Sequence, residues 1–117
     1  MTRLLALKFT LGITGILFLA TAYPLVLFVR VDPALSMMLS LYVTLGVFLL
    51  LAVPNPSAHR SLIAFTAWSS FAHATLMGAQ CLRGMIMMRE MIGVAVLIVI
   101  GIALLALLPP KPASILT

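Results

Sequence analysis

The chain is short of nearly everything a water-facing surface needs. Only 8% of its 117 residues are charged, and acids are scarcest, with Asp32 and Glu90 set against seven Lys and Arg. A soluble domain carries about a quarter charged residues, so this composition excludes an ordinary soluble globule. The single cysteine, Cys81, excludes an intrachain disulfide. Two histidines, His59 and His73, are too few for a metal cluster of the usual His/Cys spacing. The positive charges form no basic stripe with interleaved aromatics. The net charge of +5 therefore reads as membrane topology and contact with anionic lipid, and nucleic acid is not an expected partner.

What is present is hydrocarbon. Hydrophobic residues make up 64% of the chain, and mean hydropathy is +1.30. Four apolar runs, about 9–29, 34–53, 61–82 and 91–108, approach the ~20 helical residues needed to cross a ~30 Å bilayer core. The expected architecture is one all-α membrane domain over 1–117, an antiparallel up-down-up-down bundle of four transmembrane helices. Short connections at 30–33, 53–57 and 83–90 favour antiparallel neighbours. Pro33 suits the first turn of the second helix, and Ser57 is a candidate N-cap for the third. Pro109, Pro110 and Pro112 around Lys111 end the last helix. Arg3, Lys8 and the triplet Ala20-Thr21-Ala22 have the pattern of a cleavable secretory signal. The apolar character continues through residue 29, so a retained first helix, kinked by Pro24, is expected.

Arg3, Lys8, Arg60 and Lys111 fall on one side of this topology, and Arg30, Arg83 and Arg89 on the other with both acids. The bias before the first helix places both termini in the cytoplasm.

The third run is the least apolar. At about 100° per residue, His59, Thr66, Ser69, Ser70, His73 and Gln80 share one arc of its helix, and Trp68 lies opposite. Thr10, Thr14 and Thr21 form a stripe on the first helix, and Ser36, Ser40 and Thr44 on the second. Polar groups in hydrocarbon turn toward partners, so these stripes are expected to face inward. A polar layer of Thr21, Thr44, Ser70 and His73 is expected at mid-membrane, flanked by Thr10, Thr14 and Thr66 on the cytoplasmic side. Ser36, Ser40 and Gln80 flank it on the outer side. The fourth helix, with Gly93, Ala95, Gly101 and Ala103, packs through small residues.

Each group that could carry chemistry has a plainer reading beside it. His73 is an intramembrane ionisable residue, hence a candidate ligand site; the plainer reading is a neutral imidazole bonded to a hydroxyl. His59 and Arg60 suit contact with lipid phosphate at the interface. The histidines are fourteen residues apart, ~21 Å along one helix face, a spacing similar to helices of b-type cytochromes. A bis-histidine haem would need the opposing ligand from a second copy, so haem, pigment or quinone binding at His73 is the alternative reading. Ser69 and Ser70 beside His73 suggest a nucleophile, but no third group orients the imidazole. Seven methionines (Met37, Met38, Met77, Met85, Met87, Met88 and Met91) share the outer half with Cys81. Soft sulfur ligands select Cu(I), yet no regular Met array occurs, and gap-filling at helix ends explains them.

In length and helix count the chain resembles small multidrug resistance transporters. It departs where that family carries a membrane-embedded glutamate, since its first helix offers only threonines. A second resemblance is more specific. Asn55-Pro56-Ser57-Ala58-His59-Arg60-Ser61-Leu62-Ile63, continued by Ala67-Trp68-Ser69-Ser70-Phe71-Ala72-His73, resembles a family of small uncharacterised bacterial membrane proteins with four helices. That likeness implies the fold and a bacterial inner-membrane location, and assigns no catalytic residue. The sequence thus points to a non-enzymatic accessory or interaction subunit, partnered by lipid and by a membrane protein or a second copy. Its polar core would comprise Thr21, Thr44, Thr66, Ser69, Ser70, His73 and Gln80.

Overall fold

A computed structural model describes residues 2–110; Met1, Lys111 and Pro112 lie outside the described residues. The helices, in chain order, are α1 (Thr2–Leu19), α2 (Ala22–Phe28), α3 (Pro33–Ala52), α4 (Arg60–Leu82) and α5 (Met91–Ala106). Single 3-10 turns at Pro56–His59 and Met88–Glu90 precede α4 and α5. No strand occurs among the described residues. Three stretches are long and apolar enough to cross a membrane: Thr2–Phe28, Pro33–Ala52 and Met88–Ala106. These give the chain the character of a membrane protein. The 23 residues of α4 are long enough to span, but their hydroxyls, His73 and Gln80 keep the helix below the apolarity of the other three.

The chain divides into two compact units, Met1–Asn55 and Pro56–Thr117. In the first, α1 and α2 form one interrupted rod against α3. Helix α1 starts seven residues earlier than the apolar run, because Arg3 and Lys8 sit well in a helix and carry long apolar stems. Pro24 breaks the rod one turn upstream of itself, where its ring opposes the carbonyl of Ala20. There the ladder tightens, with Thr21 N donating to Phe18 O at 3.0 Å and Tyr23 N to Ala20 O at 3.1 Å. At the following turn Pro33 occupies the start of α3, and Asp32 Oδ1 accepts from Leu35 N at 3.1 Å.

Contacts along this hairpin run in opposite directions on the two strands of helix, Phe18 against Tyr42 and Thr21 against Leu39. The closest approach is at Gly15 and Gly46. A Cβ on Gly46 would stand 2.6 Å from Leu19 N and 2.7 Å from Gly15 O. Both atoms are backbone, so only separation of the helices could relieve the contact. Next to it, Phe18 and Tyr42 meet edge to face with centroids 4.9 Å apart.

The second unit is also an antiparallel hairpin, α4 on α5. Here the interlocking group is a ring. Phe71 lies over Gly101, where a Cβ would come within 2.5 Å of its Cε1, and the Met77 Cε atom is 3.1 Å from a Cβ placed on Gly93. Leu97, Ile100 and Leu104 of α5, and Ile63, Ala67 and Ala74 of α4, are buried. Ser57, the candidate N-cap, lies inside the 3-10 turn instead. Pro54 and Pro56 flank Asn55 and lack amides, and α4 starts only after His59. The end of α4 is sharply made. Gly84 has φ of +70°, Gly84 N donates to Cys81 O at 3.1 Å and Met85 N to Gln80 O at 2.9 Å. That is a Schellman closure, which needs a residue tolerant of positive φ.

Gly46→Ala is therefore expected to destabilise the first hairpin by about 1–3 kcal/mol, read as a lower thermal midpoint in detergent micelles. Gly12→Ala, where a Cβ meets nothing within 4 Å, is the matched control and should leave the midpoint unchanged or raise it.

Candidate functional site

Helix α4 carries most of the polar side chains proposed as a site. Its packed face is formed by Ile63, Thr66, Ala67, Ser70, Ala74 and Cys81, the three-to-four-residue spacing of a helix interface. Thr66 and Ser70 are thus inside the packing, while Ser69, His73 and Gln80 are half-buried on one flank of it. Trp68 faces away, 62% exposed, and meets Phe71 edge to face at 5.6 Å.

The hydroxyl protons of this face stay within the helix. Thr66 Oγ1 donates to Leu62 O at 2.8 Å. Ser70 Oγ and Ser69 Oγ both donate to Thr66 O, at 2.7 Å and 3.2 Å. Thr75 Oγ1 donates to Phe71 O at 2.8 Å. Such back-bonding lets serine and threonine sit in apolar surroundings without a partner on another helix. It also gives both serine hydroxyls a carbonyl acceptor on their own helix.

The first unit follows the same pattern. Thr10 donates to Ala6 O, Ser36 to Asp32 O, Ser40 to Met37 O and Thr44 to Ser40 O. Thr14 and Ser36 are buried, Thr21 is half-buried, and Ser40 and Thr44 are exposed. The α3 stripe thus differs from the uniformly inward one expected, because a hydroxyl closed on its own ladder needs no inward placement. Thr21 is the exception in the series. Its Oγ1 donates to Phe18 O at 2.6 Å and approaches Leu39 O of α3 at 3.4 Å, where the proline break has opened the rod. Thr21 and Thr44 belong to the first unit, Ser70 and His73 to the second.

Arg60 has a protein partner that the sequence did not suggest: its Nε donates to Pro109 O at 2.7 Å. The charged fork at the start of α4 thereby satisfies a carbonyl just beyond the end of α5, the kind of helix-terminal acceptor that a cation stabilises. The available signal was an arginine at one end of an antiparallel pair and consecutive prolines at the other. His59 and His73 each take part in interactions as well.

The sulfur-bearing residues are scattered in environment. Met37, Met85, Met87 and Met88 are exposed, and Met77 packs on Gly93. Cys81 is buried, with its thiol 3.6 Å from Met87 O. Among the described residues no three of His, Cys, Asp and Glu are grouped to hold a metal ion.

Comparison with known families adds a relationship. A model described as a family of unknown function, DUF6632, matches residues 3–113. The chain belongs to that family. No curated protein and no solved structure matches. The DUF6632 match runs over both hairpins and is not confined to residues 55–73, where the sequence resemblance lies. Membership adds no activity and no site residue to those the geometry provides.

Because the Ser70 proton is held by its own helix, Ser70→Ala removes donor and hydroxyl together and leaves Thr66 O its backbone bond. The expected loss is below ~1 kcal/mol, measured by thermal unfolding. A loss of ~2 kcal/mol or more would show that Ser70 bonds to a group on another helix.

Proposed function

We propose that the chain is a non-enzymatic accessory protein of the bacterial inner membrane. It crosses the bilayer four times, up and down, with both termini in the cytoplasm, and binds a membrane-protein partner through α4. The observation that carries this reading is the division of labour on α4. The protons of Thr66, Ser69, Ser70 and Thr75 are given to its own carbonyls, whereas its opposite face presents Phe65 at 63%, Trp68 at 62% and Leu76 at 62% exposure. Ala72 and Ala79 lie between and beyond these residues and are exposed with them. Large aromatics interspersed with alanines give a surface onto which another helix can pack closely. The lipid bilayer covers the remaining apolar faces of α1, α3 and α5. His59 and Arg60 stand at the start of α4, at the depth of lipid headgroups.

The alternative is a ligand-binding protein centred on His73, with haem, pigment or quinone as the ligand. Half-buried placement of the imidazole beside Ala72 and Ala74 supports it. The polar-core residues Thr21, Thr44, Thr66, Ser69, Ser70 and Gln80 would then tune the site.

Mild extraction from native membranes, with an absorption spectrum of the product, separates the two. The accessory reading expects a larger complex of fixed stoichiometry and a spectrum without visible bands. Trp68→Ala is expected to weaken that complex by ~30-fold or more, in the range of an interface hot spot. A visible or near-ultraviolet chromophore lost on His73→Ala, with helix content retained, would overturn it in favour of the alternative.

A further inference from the structure

The first unit carries a surface feature that the proposed role does not use. A groove of about 320 Å³ runs along α1, with Leu5, Phe9, Ile13 and Ile16 exposed beside half-buried Lys8, Gly12 and Val53. Its wall is almost wholly carbon. Gly12 makes the gap, since a Cβ there would meet nothing within 4 Å.

Two properties select an occupant. The first is length. From Leu5 to Ile16 the groove extends over twelve residues, ~16 Å for the eleven rises of 1.5 Å between them, which is about half the ~30 Å hydrocarbon core. That is the depth of one leaflet. A membrane-crossing helix of a partner would need a seam running through both, and the groove ends at Ile16. The second is charge. Lys8 is the one cationic residue of the groove, and Arg3 lies at the same end of α1. The sole acid of this unit, Asp32, is in the turn at the opposite end of the hairpin, where it caps α3. A lysine whose stem lines an apolar groove and whose ammonium reaches the interface is complementary to an acidic headgroup above an acyl chain.

We propose that this groove binds one anionic phospholipid, its acyl chain lying over Gly12 and its phosphate held by Lys8. The site depends on membrane residence and is independent of the accessory role, since it lies wholly in the unit that does not contain α4.

Native mass spectrometry of the full-length protein in micelles tests it, with phosphatidylglycerol and phosphatidylcholine of identical chains added in equal amounts. The wild-type chain is expected to retain one phosphatidylglycerol in preference to phosphatidylcholine. Gly12→Leu, which fills the groove at a position with room for the side chain, is expected to lose both lipids by ~10-fold or more. Helix content should be retained in that variant and the thermal midpoint unchanged or raised. Lys8→Gln is expected to lower the preference for phosphatidylglycerol about fivefold and to leave phosphatidylcholine retention as it was. Equal retention of the two lipids by the wild-type chain overturns the proposal, as does undiminished phosphatidylglycerol on Gly12→Leu. Conversion of a dimer to a monomer by Gly12→Leu with lipid retention intact also overturns it, and assigns the groove to a second copy.

Discussion

In hydrocarbon a hydroxyl without an acceptor costs several kcal/mol, and this chain meets that constraint within each helix. Thr66, Ser69, Ser70 and Thr75 on α4, and Thr10, Ser40 and Thr44 in the first hairpin, return their protons to carbonyls three or four residues back. Because those protons are already engaged, they are not donated from one helix to another. Close packing at glycine supplies the tightest contacts within each hairpin, beside the Arg60 bond to Pro109 O and the approach of Thr21 to Leu39 O. Bonding within the helix explains how a helix as polar as α4 can belong to a chain with so much hydrocarbon around it.

The two hairpins reach close packing differently. In the first, Gly46 lets backbone meet backbone at Leu19 and Gly15, a contact that cannot adjust by side-chain rotation. In the second, Gly101 accepts the Phe71 ring, and the same ring supports Trp68 on the outer face of α4. Phe71 thereby links the interior of the second hairpin to the aromatic surface assigned to a partner. A change at Gly101 would be felt at Trp68 without touching it, by displacing the ring between them. Where the first hairpin is open, at Gly12, a Cβ would meet nothing within 4 Å, and the proposed lipid chain would fill that gap.

The positions of the helices were legible because they are written in local sequence. Four apolar runs, proline at the first position of α3 and the Pro24 break all follow from rules that act over a few residues. The direction of side chains was harder to read. Helical periodicity placed Thr66 and Ser70 together and Trp68 opposite, yet it treated every hydroxyl as seeking an interhelical partner. Back-bonding removes that need, and no period in the sequence reveals it, so Ser40 and Thr44 are exposed where an inward stripe was expected. The Schellman end at Gly84 was available in the sequence as a glycine two residues past Leu82. The Arg60 bond to Pro109 was not, since it joins residues 49 apart and depends on how far each helix of the pair extends.

The proposed four crossings rest most heavily on α4, whose own composition falls short of the other apolar helices but whose Thr66, Ser69, Ser70 and Thr75 bond within the helix. Cysteine accessibility at its two ends tests this directly, using Ser57→Cys and Met85→Cys, each in a Cys81→Ser background, with a membrane-impermeant maleimide. The account predicts that Met85→Cys is labelled in intact cells and that Ser57→Cys is labelled only after the membrane is opened. Labelling of both positions from the same side would contradict it, leaving α4 on the membrane surface or re-entrant and the four-helix bundle without its third crossing.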